Sequence, residues 1–300
     1  MSYNPITVIS TTYNSANTIG SLLKSLQNDS NLGLIDKVII IENNSNEKIL
    51  TKEIVTQKNI RSKIPIYFKD INTNIGFAKS SNIGASYARS EYLLFLNPDT
   101  TMQKNSLRIL YEHAIQNSAD IVGGLSKKKR NIAHKTAVRY PTLAIGLLEF
   151  SNLGKLMGID LGHDRFYYND KNIYKSERDV VVDAVGGAYL LIKRKVFNEL
   201  GGFDTKYFMY LEDVDLCRRA SFSKRKIIFC PHSKISHIGG ASSQNKYHIL
   251  HQAWYDSRRH YFMKHHGFLI NVIIQPIFFI DEYIFKIRES ISHLVQSREL

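Results

Sequence analysis

The chain of 300 residues is poor in cysteine and contains only Cys217 and Cys230. Two cysteines cannot form the disulfide framework on which small secreted proteins depend, so we expect a reducing compartment. The amino terminus, MSYNPITVIS, lacks a basic segment followed by an apolar one. It does not resemble a secretory signal, and we therefore expect a cytoplasmic location.

Long uninterrupted apolar segments are also lacking, although 43% of the residues are hydrophobic. A membrane-spanning helix needs about 20 consecutive, mostly apolar residues. The nearest candidate is the segment 268–285, which is interrupted by Gln275, Pro276, Asp281 and Glu282. This pattern is typical of a helix at a membrane surface, and equally of a buried pair of C-terminal helices.

Acidic residues are too few to balance the basic ones, and the net charge is +13. Such a charge attracts nucleic acids, anionic membrane surfaces or phosphorylated small molecules. The sequence has short basic clusters but no long basic arm, zinc-finger spacing or RNA-binding aromatic motif. We therefore expect no nucleic-acid partner, and either a solvated basic surface or attraction to anionic lipid headgroups.

The first 125 residues alternate strand and helix patterns. Apolar runs predict strands at 6–10, 37–41, 64–68, 92–96 and 121–123, with helical spacing at 19–26, 77–88 and 107–115. This order predicts an α/β fold with a doubly wound, mostly parallel sheet and helices on both faces. Polar residues follow three strands, at 11–17, 42–45 and 97–99, and should meet in one cleft. Later strands are predicted at 180–185, 188–193 and 227–230.

The motif Asn97-Pro98-Asp99 places a carboxylate where a strand ends, because proline cannot continue a central ladder. A carboxylate at that edge can hold a divalent ion that bridges diphosphate oxygens. The alternative is an Asx-type turn, to which the same three residues are suited.

A second acidic segment runs from Glu212 to Arg219. At about 100° per residue, Asp213 and Asp215 point roughly 200° apart on a helix and cannot serve one site together. Asp215 can pair with Arg219 at i+4, which leaves Asp213 to face the cleft as a general base. Stabilisation of the helix amino terminus by these acidic side chains is the alternative explanation.

Three further features carry open interpretations. His237 can be a metal ligand or a structural histidine. Gly186 and Gly187, between two predicted strands, indicate a close approach of the backbone to a ligand or a sharp turn. Glu42 can bind ribose hydroxyls or a base edge, whereas capping of the next helix by nearby Asn or Ser residues is the alternative use of that segment.

Together these segments resemble the family-2 glycosyltransferases, in the branch of the bacterial rhamnosyltransferases. Five ordered motifs carry the resemblance: VISTTYN at 8–14, VIIIENNS at 38–45, NIGFAKSSNIG at 74–84, YLLFLNPDT at 92–100 and GGFDTKYFMYLEDVDLCRR at 201–219. The resemblance implies a GT-A catalytic domain over 1–265, with a nucleotide-binding half over 1–125 and an acceptor-binding half over 126–265. A helical tail over 266–300 would associate with a membrane or make an oligomer.

The resemblance also implies an inverting transfer from a dTDP- or UDP-sugar, aided by Mg²⁺ or Mn²⁺, to a glycan or lipid-linked acceptor. The setting would be bacterial surface polysaccharide synthesis at the inner face of the cytoplasmic membrane. It assigns nucleotide binding to Thr12, Tyr13, Glu42, Asn74, Gly76 and Asn82. It assigns further substrate contacts to Asn97, Gly186, Gly187 and Glu212. Asp213 becomes the base, Asp99 a metal ligand and His237 a possible second ligand.

The chain departs from the family pattern at two positions. The usual Asp-x-Asp is Asn97-Pro98-Asp99, and the common aspartate of the second strand is Glu42. These departures leave a nucleotide-sugar-binding paralogue without catalysis as an alternative. Transfer of another hexose or of galactofuranose is a further alternative, because the motifs do not specify the sugar.

Overall fold

The structure is a computed structural model that describes residues 5–127, 133–134, 136–159, 165–168, 171–238 and 247–296. Its strands are β1 (Ile6–Thr12), β2 (Ile35–Glu42), β3 (Ile66–Asp70), β4 (Tyr92–Leu96), β5 (Thr100–Met102), β6 (Ile121–Lys127), β7 (Ala133–His134), β8 (Ala137–Val138), β9 (Val180–Val181), β10 (Ala184–Val185), β11 (Tyr189–Lys193) and β12 (Ile227–His237). Its helices are α1 (Ala16–Leu26), α2 (Lys48–Ile60), α3 (Gly76–Ser86), α4 (Ser106–Gln116), α5 (Leu143–Leu148), α6 (Leu153–Leu156), α7 (Lys171–Tyr174), α8 (Arg194–Glu199), α9 (Glu212–Phe222), α10 (Tyr247–His265) and α11 (Phe268–Gln296), with a 3₁₀ turn at Asp29–Asn31.

The main sheet has the strand order β3-β2-β1-β4-β11-β6-β12-β5, with β7 beside β6 and β9 beside β12. The strands β3, β2, β1 and β4 are parallel, as predicted. β11 runs antiparallel to both β4 and β6, so the sheet is mixed beyond β4. The sequence did not reveal this reversal because strands buried on both faces are continuous apolar runs in either direction. The predicted α/β architecture is confirmed.

Two hydrophobic cores lie on opposite faces of the sheet. Leu22 of α1 and Leu107 of α4 belong to one core. Val214 of α9 and Phe262 of α10 belong to the other. Helices therefore cover both faces, and the carboxyl ends of the parallel strands remain the place where polar loops gather.

Close packing explains the small residues of α3. A Cβ atom at Gly84 would lie 2.5 Å from Ile9 Cγ2 and 3.3 Å from Ile41 Cγ1. The helix can therefore approach β1 and β2 only with glycine at this position. This packing holds the start of α3, at Gly76, against the edge of the sheet where the predicted cleft lies.

Several predicted boundaries are corrected. β1 continues to Thr12 and α1 starts at Ala16, so the polar turn predicted over 11–17 is limited to 13–15. β12 extends to His237 instead of ending at Cys230, and the strand predicted at 180–185 is divided into β9 and β10. α2 was not predicted, because only Thr51 and Val55 of its residues are buried and its apolar periodicity is weak.

The C-terminal helices α10 and α11 pack against each other and against the hydrophobic core that contains Val214. The acidic residues that interrupt the apolar segment of α11 face inward: Asp281 pairs with the buried Arg258 at 2.6 Å, and Glu282 pairs with Arg259 at 2.6 Å. Among the described helices, Phe268–Arg288 alone has the length and composition of a membrane span, and 22% of it is buried. The break between α10 and α11 falls at the predicted start of the tail, although the division into domains stays a prediction.

Candidate active site

Asp99 and His237 meet at the carboxyl end of the sheet. β5 pairs with the end of β12, which places Thr100 opposite His237. Asp99 Oδ1 lies 3.0 Å from His237 Nε2, and both side chains are nearly buried. The amide nitrogen of Asn97 lies 3.5 Å from the same ring nitrogen. A carboxylate and an imidazole this close are a fitting donor pair for a divalent cation.

Residues 97–100 form a turn, although its acceptor is the Asn97 backbone carbonyl and not the side-chain oxygen of the Asx-type turn considered as the alternative. This carbonyl accepts hydrogen bonds from the Thr100 backbone N–H at 3.2 Å and from its hydroxyl at 2.6 Å. A turn and a metal-ligand role are compatible, because the turn fixes the backbone while the Asp99 carboxylate lies next to His237. Gly239 and Gly240, which follow His237 closely in the sequence, lie outside the described residues.

Asp213 lies in the first turn of α9 and faces the glycine pair. Its Oδ2 atom accepts a hydrogen bond from the Gly187 backbone N–H at 2.7 Å. Its Oδ1 atom accepts one from the Val214 N–H at 2.8 Å. Burial raises the pKa of Asp213, and the hydrogen bonds from Gly187 and Val214 act against that rise. The result is a half-buried carboxylate held in one orientation.

Glu212 is the less solvated neighbour of Asp213. Its residue is 6% exposed, and its Oε2 atom has no hydrogen-bond partner among the residues that the structure describes. Burial, reinforced by the charge of Asp213, raises the pKa of Glu212 well above its ordinary value. Of the two carboxyls, Asp213 therefore ionises first, since backbone donors stabilise its charge.

Asp215 points away from this pair, as the helical spacing predicted. It is fully buried and pairs with Arg219 Nε at 2.8 Å. Lys264 Nζ and His265 Nε2 each lie 2.7 Å from its other oxygen. Although burial alone would raise the pKa of Asp215, these partners lower it. Asp215 therefore anchors the end of α10 to α9.

Helix α9 starts from a strained turn. Tyr210 and Leu211 have φ angles of 73° and 64°, a left-handed conformation that is uncommon for bulky residues. Such strain persists only where surrounding contacts impose it, and it is concentrated at functional sites. Both residues immediately precede Glu212 and set the direction of the first turn of α9. No residue type in this segment signalled the turn, since neither position is glycine or asparagine.

The glycine pair leaves space beside Asp213. Cβ atoms built at Gly186 and Gly187 would lie no closer than 3.5 Å to any atom, and neither residue has a positive φ. Nothing within the described part of the chain therefore requires glycine at either position. The missing side chains leave room for a ligand to approach the Asp213 carboxylate.

A chain of contacts joins the region of Asp99 and His237 to the region of Asp213. The Asn97 N–H donates to the Ala188 carbonyl at 3.2 Å, directly after Gly187. Phe77, at the start of α3, lies 3.7 Å from the Cβ position of Gly187. These contacts place the Asn97–Asp99 segment near Gly187 and Asp213, whereas its predicted convergence with the segments 11–14 and 42–45 stays a prediction.

On the nucleotide side, the predicted residues are bonded largely to one another. Glu42 is fully buried and accepts hydrogen bonds from the Thr12 hydroxyl at 2.6 Å and the Ser45 N–H at 2.9 Å. Asn74 accepts a bond at 2.8 Å from Asn43, a residue that the sequence reasoning did not select. Tyr13 is half-buried next to Thr12. These contacts give the end of the parallel strands a fixed shape.

Gly76 and Asn82 have structural contacts that account for their residue types. A Cβ atom at Gly76, whose φ is 81°, would lie 2.2 Å from the Phe208 carbonyl oxygen. The Asn82 side chain donates to the Phe203 carbonyl at 2.8 Å and accepts from the Phe203 N–H at 2.9 Å. Both residues join α3 to the loop before α9, and their nucleotide contacts stay predictions.

Comparison with known proteins matches residues 7–201 to the family described as Glycosyl transferase family 2. The chain belongs to this family. The rhamnosyltransferase WbbL of Escherichia coli K12 is 28% identical over 193 residues, which are 61% of this chain and 63% of WbbL. The N-acetylglucosaminyl-diphospho-decaprenol L-rhamnosyltransferase of Mycobacterium tuberculosis H37Rv is 27% identical over 150 residues, 49% of this chain and 47% of that protein. This family-2 chain thus aligns with less than two thirds of either relative.

The fold is that of the GT-A glycosyltransferases. The mannosyltransferase PcManGT of Pyrobaculum calidifontis, solved with GDP-Man and Mn²⁺, has a TM-score of 0.60 at 15% identity and covers 87% of this chain and 64% of its own. The family-2 match ends at residue 201. Asp213 and His237 lie beyond it, so their positions in the cleft come from the structure and not from the match.

Proposed function

We propose that this family-2 chain is an inverting glycosyltransferase that moves a sugar from a nucleotide-diphosphate donor to an acceptor hydroxyl. The orientation of Asp213 is the observation that carries the proposal. Its carboxylate is held by the Gly187 N–H at 2.7 Å, beside the space that the two glycines leave open. The Asn97–Asp99 turn is connected to this region by the hydrogen bond from the Asn97 N–H to the Ala188 carbonyl, directly after Gly187.

Asp99 and His237 are the residues that would hold Mg²⁺ or Mn²⁺. Their oxygen and nitrogen atoms are 3.0 Å apart at the end of the sheet, and Asn97 is the nearest amide. When bound, such an ion neutralises negative charge on the departing diphosphate. The replacement of the usual first aspartate by Asn97 leaves one carboxylate, and His237 supplies the second donor.

In the transfer step, Asp213 accepts the proton of the acceptor hydroxyl while that oxygen attacks the anomeric carbon of the donor. The bond from this carbon to the diphosphate oxygen breaks on the opposite face, so a single displacement inverts the anomeric centre. A positioned general base contributes about 10²–10⁴-fold to such a step. Burial raises the pKa of Glu212, which favours its protonated form, and that form can donate a hydrogen bond to the acceptor or to Asp213.

L-Rhamnose carried by dTDP is the donor that we favour, with a UDP-sugar as the second choice. The support is that both relatives are named as rhamnosyltransferases. We also propose a glycan or lipid-linked acceptor in bacterial surface polysaccharide synthesis, and the decaprenol-linked acceptor in the name of the mycobacterial relative supports the lipid-linked form. The alternatives are transfer of another hexose or of galactofuranose, and binding of a nucleotide sugar without catalysis.

Thermal unfolding with a panel of dTDP-, UDP- and GDP-sugars, with and without Mn²⁺, tests the donor assignment. A ligand that binds only the folded state stabilises it by about 2.7 kcal/mol at a concentration 100 times its Kd. We expect the largest rise in Tm with dTDP-rhamnose and Mn²⁺. A larger rise with another sugar would replace the donor, and no rise with any sugar would contradict donor binding.

We also propose attachment to the inner face of the cytoplasmic membrane through α11. Its outward face is apolar, with exposures between 38% and 80% at Phe268, Leu269, Val272, Ile273, Phe279, Ile280, Tyr283, Ile284 and Ile287. Asp281 and Glu282 of the helix are turned inward onto Arg258 and Arg259. One face of α11 is held by the protein, so the helix can lie in the interface without crossing the membrane.

Flotation with liposomes tests this attachment. Removing the tail from Gly267 onward would leave the buried Arg258 without Asp281, so point variants are the cleaner choice. We expect Ile273→Glu with Ile280→Glu to abolish flotation with anionic vesicles. Ile60→Glu, at an exposed position on α2, is the matched control and should float. Equal flotation of both variants would contradict the role of α11, as would a wild type that does not float.

A further inference from the structure

A second group of metal-ligating side chains lies away from the cleft. His113 of α4, Cys230 of β12 and Asp179, just before β9, offer ligand atoms that all lie within 4.8 Å of one another. The pairing of β9 with β12 sets Phe229 opposite Val180. Cys230 and Asp179 are the next residues along this antiparallel ladder and therefore face each other.

This cluster is separate from the Asp99–His237 pair. Cys230 pairs with Gly124 of β6, whereas Ser236, directly before His237, pairs with Lys127. These partners are three positions apart on β6, which at about 3.3 Å per residue is about 10 Å. Between them, Ser233 bonds to Ser106 at 3.1 Å and to Tyr189 at 2.7 Å. No single ion can therefore use both sets of ligands.

The carboxylate of Asp179 is bonded through one oxygen only. Oδ2 accepts hydrogen bonds from His113 Nδ1 at 2.8 Å and from Asn117 at 2.7 Å. Oδ1 is buried and has no hydrogen-bond partner within the described part of the chain, while the side chain is 6% exposed. A buried polar atom without a partner is rare in folded proteins, and an ion is one of the explanations for it.

We propose that His113, Asp179 and Cys230 bind one divalent transition-metal ion of the zinc class. Thiolate, imidazole and carboxylate are the three ligand types that Zn²⁺ takes in proteins. The ion would bond to the Cys230 sulfur, the Asp179 carboxylate and the His113 ring, and the thiol proton would be released to solvent. His113 is 26% exposed, which leaves the site open to the solvent side.

A second histidine ring lies next to the cluster, outside the group whose ligand atoms lie within 4.8 Å of one another. The ring of His232, two residues after Cys230, has its centroid 5.9 Å from that of His113. Its Nε2 atom lies 2.9 Å from the Glu177 carbonyl, a contact that fixes the ring and leaves Nδ1 as the possible donor. A bound ion would fasten α4, the segment before β9 and β12 to one another. This role is structural and independent of the proposed transfer reaction.

Cobalt(II) added to the metal-free full-length protein is the test, because cobalt–thiolate coordination gives a charge-transfer absorption band. We expect one equivalent of Co²⁺ to produce the band and one equivalent of Zn²⁺ to remove it. Cys230→Ser should lose the band. Cys217→Ser, at the other buried thiol, is the matched control and should keep it.

His113→Gln changes a partly exposed ligand and covers the case in which Cys230→Ser does not fold. It should lose the band as well, and Zn²⁺ should raise the Tm of the wild type but not of this variant. Asp99→Ala should keep the band, which separates this site from the donor site. A wild type without the band, or a band that depends on Cys217 instead of Cys230, would overturn the proposal.

Discussion

Two buried carboxyl groups, that of Glu42 at the end of β2 and that of Glu212 at the start of α9, differ in how their oxygens are satisfied. Both oxygens of Glu42 have hydrogen-bond partners within the chain. Glu212 has an oxygen with no partner among the described residues, and two left-handed residues precede it. Left-handed residues also lie near Glu42, at Asn14 and Asn44, but asparagine adopts this conformation more readily than bulky residues do. The unmatched carboxyl group therefore lies next to Asp213, where proton transfer is proposed.

Two carboxylates on α9 repeat this difference within one helical turn. Asp215 is surrounded by Arg219, Lys264 and His265, which lower its pKa. The described hydrogen bonds to the Asp213 carboxylate come from backbone N–H groups, and burial raises its pKa. The first arrangement stabilises the fold, and the second leaves a carboxylate able to accept a proton.

The largest expected effect is a loss of sugar transfer in the Asp213→Asn variant. The amide keeps the shape of the side chain but cannot take the acceptor proton, so the transfer rate should fall by about 10²–10⁴-fold. Turnover measured with the donor that the thermal panel selects checks this. Retention of more than about a tenth of wild-type turnover would remove Asp213 as the base.

The next largest expected effect is a loss of stability in the Asp215→Asn variant. This change leaves Arg219 and Lys264 beside a neutral amide, and removal of one partner from a buried ion pair costs about 3 kcal/mol or more. Denaturant unfolding should show the loss. Asp256→Asn, at a carboxylate that is 52% exposed beside Arg259, is the control and should change stability by about 0.5 kcal/mol or less. Equal losses of stability in the two variants would mean that Asp215 stabilises the fold no more than an exposed carboxylate does.

The smallest expected effect is a gain in the free energy of unfolding in the Glu212→Gln variant, and this gain should grow with pH. Because the folded-state pKa of Glu212 is raised, its contribution to stability is present below its unfolded pKa and is lost as pH rises through the folded pKa. Glutamine does not ionise, so the variant should become more stable than the wild type as pH rises, by about 1 kcal/mol at pH 8. Unfolding at pH 5 and pH 8 measures this, with the exposed Glu53→Gln as control. A gain that does not grow with pH would contradict the raised pKa.

Much of the fold could be predicted from the sequence because its parallel strands are short apolar runs followed by polar residues. The opposite directions of Asp213 and Asp215 also followed from helical spacing, and the Asp215–Arg219 pair confirms that part. The proximity of Asp99 and His237 was suggested by the family resemblance alone, because 138 positions separate them in the chain.

Other features depend on contacts that leave no sequence pattern. The pairing of Asn82 with Phe203 joins residues 121 positions apart. The antiparallel direction of β11 and the left-handed turn at Tyr210 and Leu211 are set by tertiary packing and not by residue type. The His113–Asp179–Cys230 cluster likewise arises only when β9 and α4 meet β12.

The most direct test of the account measures donor binding by calorimetry for Asp99→Ala and Asp213→Asn, each with Mn²⁺ and with EDTA. It asks whether Asp99 and Asp213 have separate roles toward donor and acceptor. Asp99 should support the donor through the ion, whereas Asp213 should act only on the acceptor. We therefore expect Asp213→Asn to bind the donor as the wild type does and to lose affinity in EDTA, and Asp99→Ala to bind weakly in both conditions. Wild-type affinity for Asp99→Ala with Mn²⁺, or equal affinity of the wild type with Mn²⁺ and EDTA, would contradict the account.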